Sequence, residues 1–259
     1  MHTKAQWVAF FVNVLPVFLF GQEIADSSEK SIWKISAYAE TYLSIDRRLQ
    51  KGQKISDFQF NHNRINRVEL NQGLLGVDYL AKNIRANFAL HAGTYVKDNY
   101  GAEPVQLQSI NKAFAGFRID KKKNIWLDVG VFPSYIGFES VNAFDNTTLT
   151  RSLLAENSPY YETGIKLSYT NKKEDLYFAF HVLNGWQKIA VTNKDQAPSV
   201  GIQLTYKPIS TLTLNYSNFI GRIQLDSLNP MRVFHNLYAI YEASPKTSLI
   251  FGFDIGTQQ

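Results

Sequence analysis

The chain has 259 residues, no cysteine, a formal charge of +5, and 45% hydrophobic and 14% aromatic residues. Without cysteine, disulfide frameworks, Cys-ligated zinc, iron–sulfur clusters and thiol catalysis are excluded, and the apolar share excludes a disordered chain. Fourteen Tyr and 18 Phe tilt the chain toward strands, and so mild a positive charge gives no argument for nucleic-acid binding.

Residues 1–21 read as a secretory signal peptide: Lys4, a mostly apolar run over 5–20 broken by Asn13 and Pro16, then Gly21 at the exit. The run is shorter than the roughly 20 apolar residues that a membrane-spanning helix needs. No cysteine follows it, so lipoprotein anchoring is excluded. Cleavage after Gly21 removes Lys4 and no acid, which lowers the charge from +5 to +4. Residues 22–31 form a polar linker.

From Trp33 onward the pattern has period two. Trp33, Ile35, Ala37, Ala39, Thr41 and Leu43 alternate with Lys34, Ser36, Tyr38, Glu40, Tyr42 and Ser44. The same alternation returns at 84–93, 112–119, 161–169, 200–207, 212–217 and 249–256, with less regular strands at 67–80, 125–138, 176–186 and 232–242. About eleven strands of roughly 10 to 14 residues result. Globular strands average about five or six residues, whereas a tilted membrane-crossing strand needs about nine to eleven. The polar alternate positions suit a wet lumen and would make a poor sandwich core. One short helical turn is expected within 148–155.

The connections alternate in length. Short ones fall at 81–83, 120–124, 171–175, 207–210 and 243–247, and long ones at 46–66, 98–108, 139–158, 187–197 and 222–231. In an up-and-down meander all short turns then share one rim and all long loops the other, as in outer-membrane barrels. Trp33, Tyr79, Phe117, Trp126, Tyr169, Tyr177, Tyr206 and Tyr241, near the short-turn ends, would form an interfacial girdle. Trp126 and Tyr177 have the wrong parity for lipid and read as lumenal or shifted by a bulge. The apolar part of loop 139–158 (Leu149, Leu153, Leu154) leaves two readings open, an inward constriction or a surface loop packing on itself.

Nothing in the sequence carries chemistry. His91, His181 and His235 have no partner at metal-ligand spacing and read as lumenal or rim residues; no catalytic residue, cofactor or metal is expected. Gly116, Gly201 and the other strand glycines read as bends and close packing. The polar-face charges Lys34, Glu40, Arg85, Lys112, Arg118, Asp128, Glu162, Lys166 and Asp254 are expected to point into a lumen, because Arg or Lys on the lipid face near the midplane costs about 2 to 4 kcal/mol. There they would either set the field that a solute meets or pair with one another to fill a narrow lumen. Asn146-Thr147-Thr148 matches an N-glycan sequon, and Asp226-Ser227-Leu228 a short O-glycosylation pattern.

The stretches RANFALHAGTYVKDNYGAEP (85–104), IWLDVGVFPSYIGFES (125–140), LTRSLLAENSPYYETGIKLSY (149–169) and NGWQ (184–187) resemble the OmpL-like β-barrel porins of Bacteroidetes. The likeness covers residues 32–259 and implies an outer-membrane diffusion pore without catalytic residues. Members of that family extend beyond the segment matching FGFDIGTQQ (251–259), and bacterial barrels have even strand numbers. The expected fold is therefore an all-β, antiparallel up-and-down transmembrane barrel over 32–259, truncated at its C-terminus, with 12 or more strands in the complete protein.

The expected function is a passive channel for small hydrophilic solutes, embedded in outer-membrane lipid, with no enzyme activity; a homo-oligomer would be unsurprising for a porin. A second reading is a structural or adhesive barrel with a plugged lumen and partner-binding external loops. A third is a soluble exported β-sandwich that binds a ligand.

Overall fold

A computed structural model describes residues 31–120, 122–191, 197–223 and 230–259. The signal, nearly all of the linker and the Asp226–Leu228 glycosylation pattern lie outside the described residues. Eleven strands follow one another among them: β1 (Ile32–Leu43), β2 (Val68–Leu80), β3 (Ile84–Ala92), β4 (Ile110–Asp120), β5 (Asn124–Pro133), β6 (Tyr161–Thr170), β7 (Leu176–Leu183), β8 (Ser199–Ile209), β9 (Leu212–Arg222), β10 (Met231–Ser244) and β11 (Thr247–Gln258). Each pairs antiparallel with the next in a single sheet ordered β1 to β11. This is the up-and-down meander that the alternating connections predict. β1 and β11 each have a partner on one edge only among the described residues, so the sheet is open between them.

The strands place their side chains the opposite way round from a water-soluble protein. Leu75 is 68% exposed, Phe251 66% and Ile35 58%, while Gln72, Asp128 and Glu162 on the other face are 0% exposed. Apolar residues outside and polar residues inside is the arrangement lipid demands, since hydrocarbon solvates the outer face and satisfies no polar group. Among the described residues no helix is long and apolar enough to cross a membrane, so the strands carry the only lipid-compatible surface described.

Local chemistry sets the turns. Asp120 Oδ1 accepts from the N–H of Lys122 at 2.8 Å, and Asn171 Oδ1 accepts from the N–H of Leu176 at 3.1 Å, so one side chain closes each bend. A register shift between Glu40 and Thr41 in the β1–β2 pair turns both Asn71 and Gln72 to the buried face.

Two sequence expectations need correction. β5 ends at Pro133 instead of running to residue 138, because Pro133 closes the strand and Tyr135 onward turns inward. A helix not foreseen, α1 (Thr94–Asn99), follows β3, while the expected helical turn is α2 (Leu153–Glu156), capped by Ser152 Oγ accepting from the Ala155 N–H. In the expected girdle, Trp33 and Tyr79 pair with ring centroids 4.7 Å apart, and Trp33, Phe117, Tyr206 and Tyr241 are exposed. Trp126 is buried, on the inner face that its parity indicates.

Candidate pore wall and constriction

Strand register brings the charges together. Arg85, Gly116, Asp128, Lys166 and His181 stand side by side in one row across β3 to β7. Asp128 is the centre of that row. Arg85 Nε donates to Asp128 Oδ1 at 2.6 Å and Arg85 Nη2 to Oδ2 at 2.5 Å, while Lys166 Nζ lies 3.2 Å from Oδ2. Arg85 reaches Asp128 across β4 only because Gly116 has no side chain: a Cβ there would collide with Asp128 Oδ1. The Arg85 guanidinium also lies 4.4 Å from the Trp126 ring centre, and Arg118 lies 5.0 Å from the same ring.

The other expected charges are spread along the same face. Glu40 accepts from Tyr38 and Asn71 and pairs with His62. Lys34 stands in register with Asp78 on β2. Asp254 accepts from Asn236 Nδ2 at 2.6 Å on the β10–β11 side. Glu162 is fully buried toward the long-loop end, and Lys112 lines a polar cavity of 180 Å³ with Glu139 and Arg151. Four of the nine, Arg85, Arg118, Asp128 and Lys166, therefore form one cluster, and five do not join it.

The β5–β6 connection, residues 134–160, lies against this face. Tyr135 stacks on His181 with centroids 3.9 Å apart and 14° between planes, and its hydroxyl donates to the Asn218 carbonyl at 2.6 Å. Ser217 Oγ donates back to the Tyr135 carbonyl at 2.9 Å, and the Gly137 N–H donates to Asn236 Oδ1 at 3.2 Å. Phe138 packs on Tyr238. The connection thus reaches from β6 to β7, β9 and β10, and the sheet curls around it. Gly201 makes the space, since a Cβ there would strike the Tyr135 hydroxyl. Phe132, Tyr135, Ile136, Leu183, Phe219 and Ile223 form an apolar cluster where it lands.

The inward turn lies ahead of the 139–158 stretch to which the sequence reading assigned it, and within that stretch Leu153 is exposed. Residues 135–138 go inward, whereas Ser140 and Asn146 bond each other and Glu139 caps Ser152. The sequon residue Asn146 spends both ends of its amide on the Ser140 backbone.

Beyond it the long connections interlock. Glu103 accepts from the Tyr161 hydroxyl at 2.8 Å and from the N–H groups of Ile189 and Ala190. Gln187 donates to the Asn99 carbonyl and accepts from the Tyr160 N–H, and Glu156 accepts from the Phe60 N–H. Burial favours a protonated Asp98, but the Arg64 guanidinium, Asn63 and Lys54 beside it prevail and hold its pKa below the usual value. Burial pushes the Glu156 carboxyl up, against the Tyr160 hydroxyl bond.

The histidines divide. His91 is buried beside Asn111 and the Gln108 carbonyl, against Tyr95 and Tyr100. His181 forms the stack described. His235, read from the sequence as lumenal or at the rim, is not lumenal: it lies half-buried on the outer face with Tyr216, whose hydroxyl is 2.8 Å away, in the half of β10 nearer the long loops. Among the described residues no group of three His, Asp or Glu is placed to hold a metal.

A family profile described as "Putative beta-barrel porin-2, OmpL-like" matches residues 33–259. The chain belongs to this family. Membership agrees with the inside-out sheet, the long tilted-strand lengths and the interleaved connections, and it places this OmpL-like porin in the outer membrane. No curated protein and no solved structure matches the chain. Sequence reasoning gave Trp126 its inner place by parity but missed Tyr135, Ser217 and Asn236 as parts of the wall and its loop.

Proposed function

We propose that this OmpL-like porin forms a passive outer-membrane channel for small hydrophilic solutes, narrowed by the β5–β6 connection and exported by a signal in residues 1–21 that is then removed. One observation carries the reading: residues 135–138 lie against a polar inner face while the opposite face is apolar and exposed. The nine charges Lys34, Glu40, Arg85, Lys112, Arg118, Asp128, Glu162, Lys166 and Asp254 line or fill the lumen, and no reaction is assigned to them. Planar-bilayer recording of the full-length protein tests it. Discrete conductance steps support the channel, and a folded protein that gives none at any voltage overturns it.

The interlocked long connections favour a second reading, a structural or adhesive barrel whose lumen is plugged and whose external loops bind a partner. Glu103 joins its own connection to the start of β6 and to the β7–β8 connection. Under that reading the same recordings stay silent.

A further inference from the structure

The cations of the β3–β6 wall are held in two different ways. Arg85 is matched by Asp128 in a two-point pair, which cancels its charge. Lys166 shares that carboxylate at 3.2 Å but also rests on the rings of Phe132 at 5.0 Å and Phe114 at 5.5 Å. Arg118 lies over Trp126, and its buried Nε has no hydrogen-bond partner. An aromatic face stabilises a cation through its quadrupole and leaves the charge intact. Three cations thus stand on a wall with one carboxylate, which Arg85 and Lys166 share. The neighbouring acids are engaged elsewhere: Asp78 lies across from Lys34 and beside Asn87, and Asp120 accepts from the turn N–H groups of Lys122 and Lys123.

From this we infer that the inner face of β3–β6 is an anion-attracting station, with a net charge of +2 from Arg85, Lys166 and Arg118 against the single Asp128 carboxylate, so that the channel favours small anions such as inorganic anions and carboxylates over cations. The inference rests on the channel reading above and names its solute class. Trp126 and Phe132 give the station flat walls that hold the cations in place without competing for an anion. Asp254 bonds to Asn236 on the far strands, and Glu162, in register with Phe132, bonds to none of the three cations.

Reversal potentials across a KCl gradient test it in the full-length protein. With two charges felt across about one Debye length of water, chloride should permeate about threefold better than potassium at 0.1 M salt. The double variant Arg118→Gln with Lys166→Gln should bring that ratio to about one. The charge-keeping variant Arg118→Lys with Lys166→Arg should retain it, which separates charge from packing. Heat-modifiable gel mobility verifies folding of each. Steps without chloride preference, or a preference unchanged in the glutamine variant, overturn the station and leave the channel standing. Absence of any conductance overturns the channel and the station with it.

Discussion

The two ends of the sheet are ordered by opposite means. At the short-turn end each bend is closed within a few residues, as by Asp120 and Asn171. At the long-loop end the bonds join residues far apart in the chain: Gly137 to Asn236, Gln187 to Asn99, Phe60 to Glu156. Local bonding makes a turn independent of its surroundings, whereas a long-range bond exists only once the sheet has curled. Order at the long-loop end is therefore a consequence of the fold and order at the short end a cause of it.

Mutations can break that contrast. The largest effect should come from Tyr135→Ala, which removes the His181 stack and the hydroxyl bond to the Asn218 carbonyl; a loss of about 3 kcal/mol is expected in urea unfolding from lipid vesicles. A loss below 1 kcal/mol would mean that the loop is not seated. Glu103→Ala should cost about 2 kcal/mol, because it leaves two half-buried N–H groups and the buried Tyr161 hydroxyl without an acceptor, and proteolysis at 184–191 should accelerate. Gly201→Leu should overpack the Tyr135 seat by about 1 to 3 kcal/mol and expel the loop, read as a gain in proteolysis of 134–160 with β-sheet content unchanged. At the other end Lys123→Ser should change neither stability nor loop proteolysis, since an exposed turn side chain away from packing contributes little. A clear loss there would erase the contrast.

Acidity sharpens it. Asp98 has a lowered pKa, so its contribution to the loop assembly is complete above the unfolded value of about 4 and is lost as pH falls through the lowered value. Glu156 has a raised pKa, so its contribution is complete below about 4 and is lost as pH rises through the raised value. Hydrogen exchange in the long loops, corrected for intrinsic rate, should be slowest between about pH 4 and the Glu156 value. Protection that climbs steadily to pH 8 would contradict this.

The same contrast explains what could be read in the sequence. The strands and turns follow from period-two alternation and local turn chemistry, so Ile84–Ala92 and Tyr161–Thr170 lie within a residue of the pattern. The loop could not be read, because residues 134–138 continue the alternation of β5 and only their seat on His181, Asn218 and Asn236 shows that they turn inward. Asp128 and Glu162 are buried while Lys34 is exposed, and the pairing of the charges depended on a register that no single strand contains. His235 was misplaced because a single polar residue can tolerate the outer face when Tyr216 supplies its partner.

The central claim is that residues 134–160 narrow a conducting lumen. Single-channel conductance of the wild-type protein against a chain in which 139–152 is replaced by a short Gly-Ser link and Tyr135 by Ala tests it most directly. The account predicts steps in both and larger steps in the shortened chain; equal conductance in the two, with both folded, would contradict it.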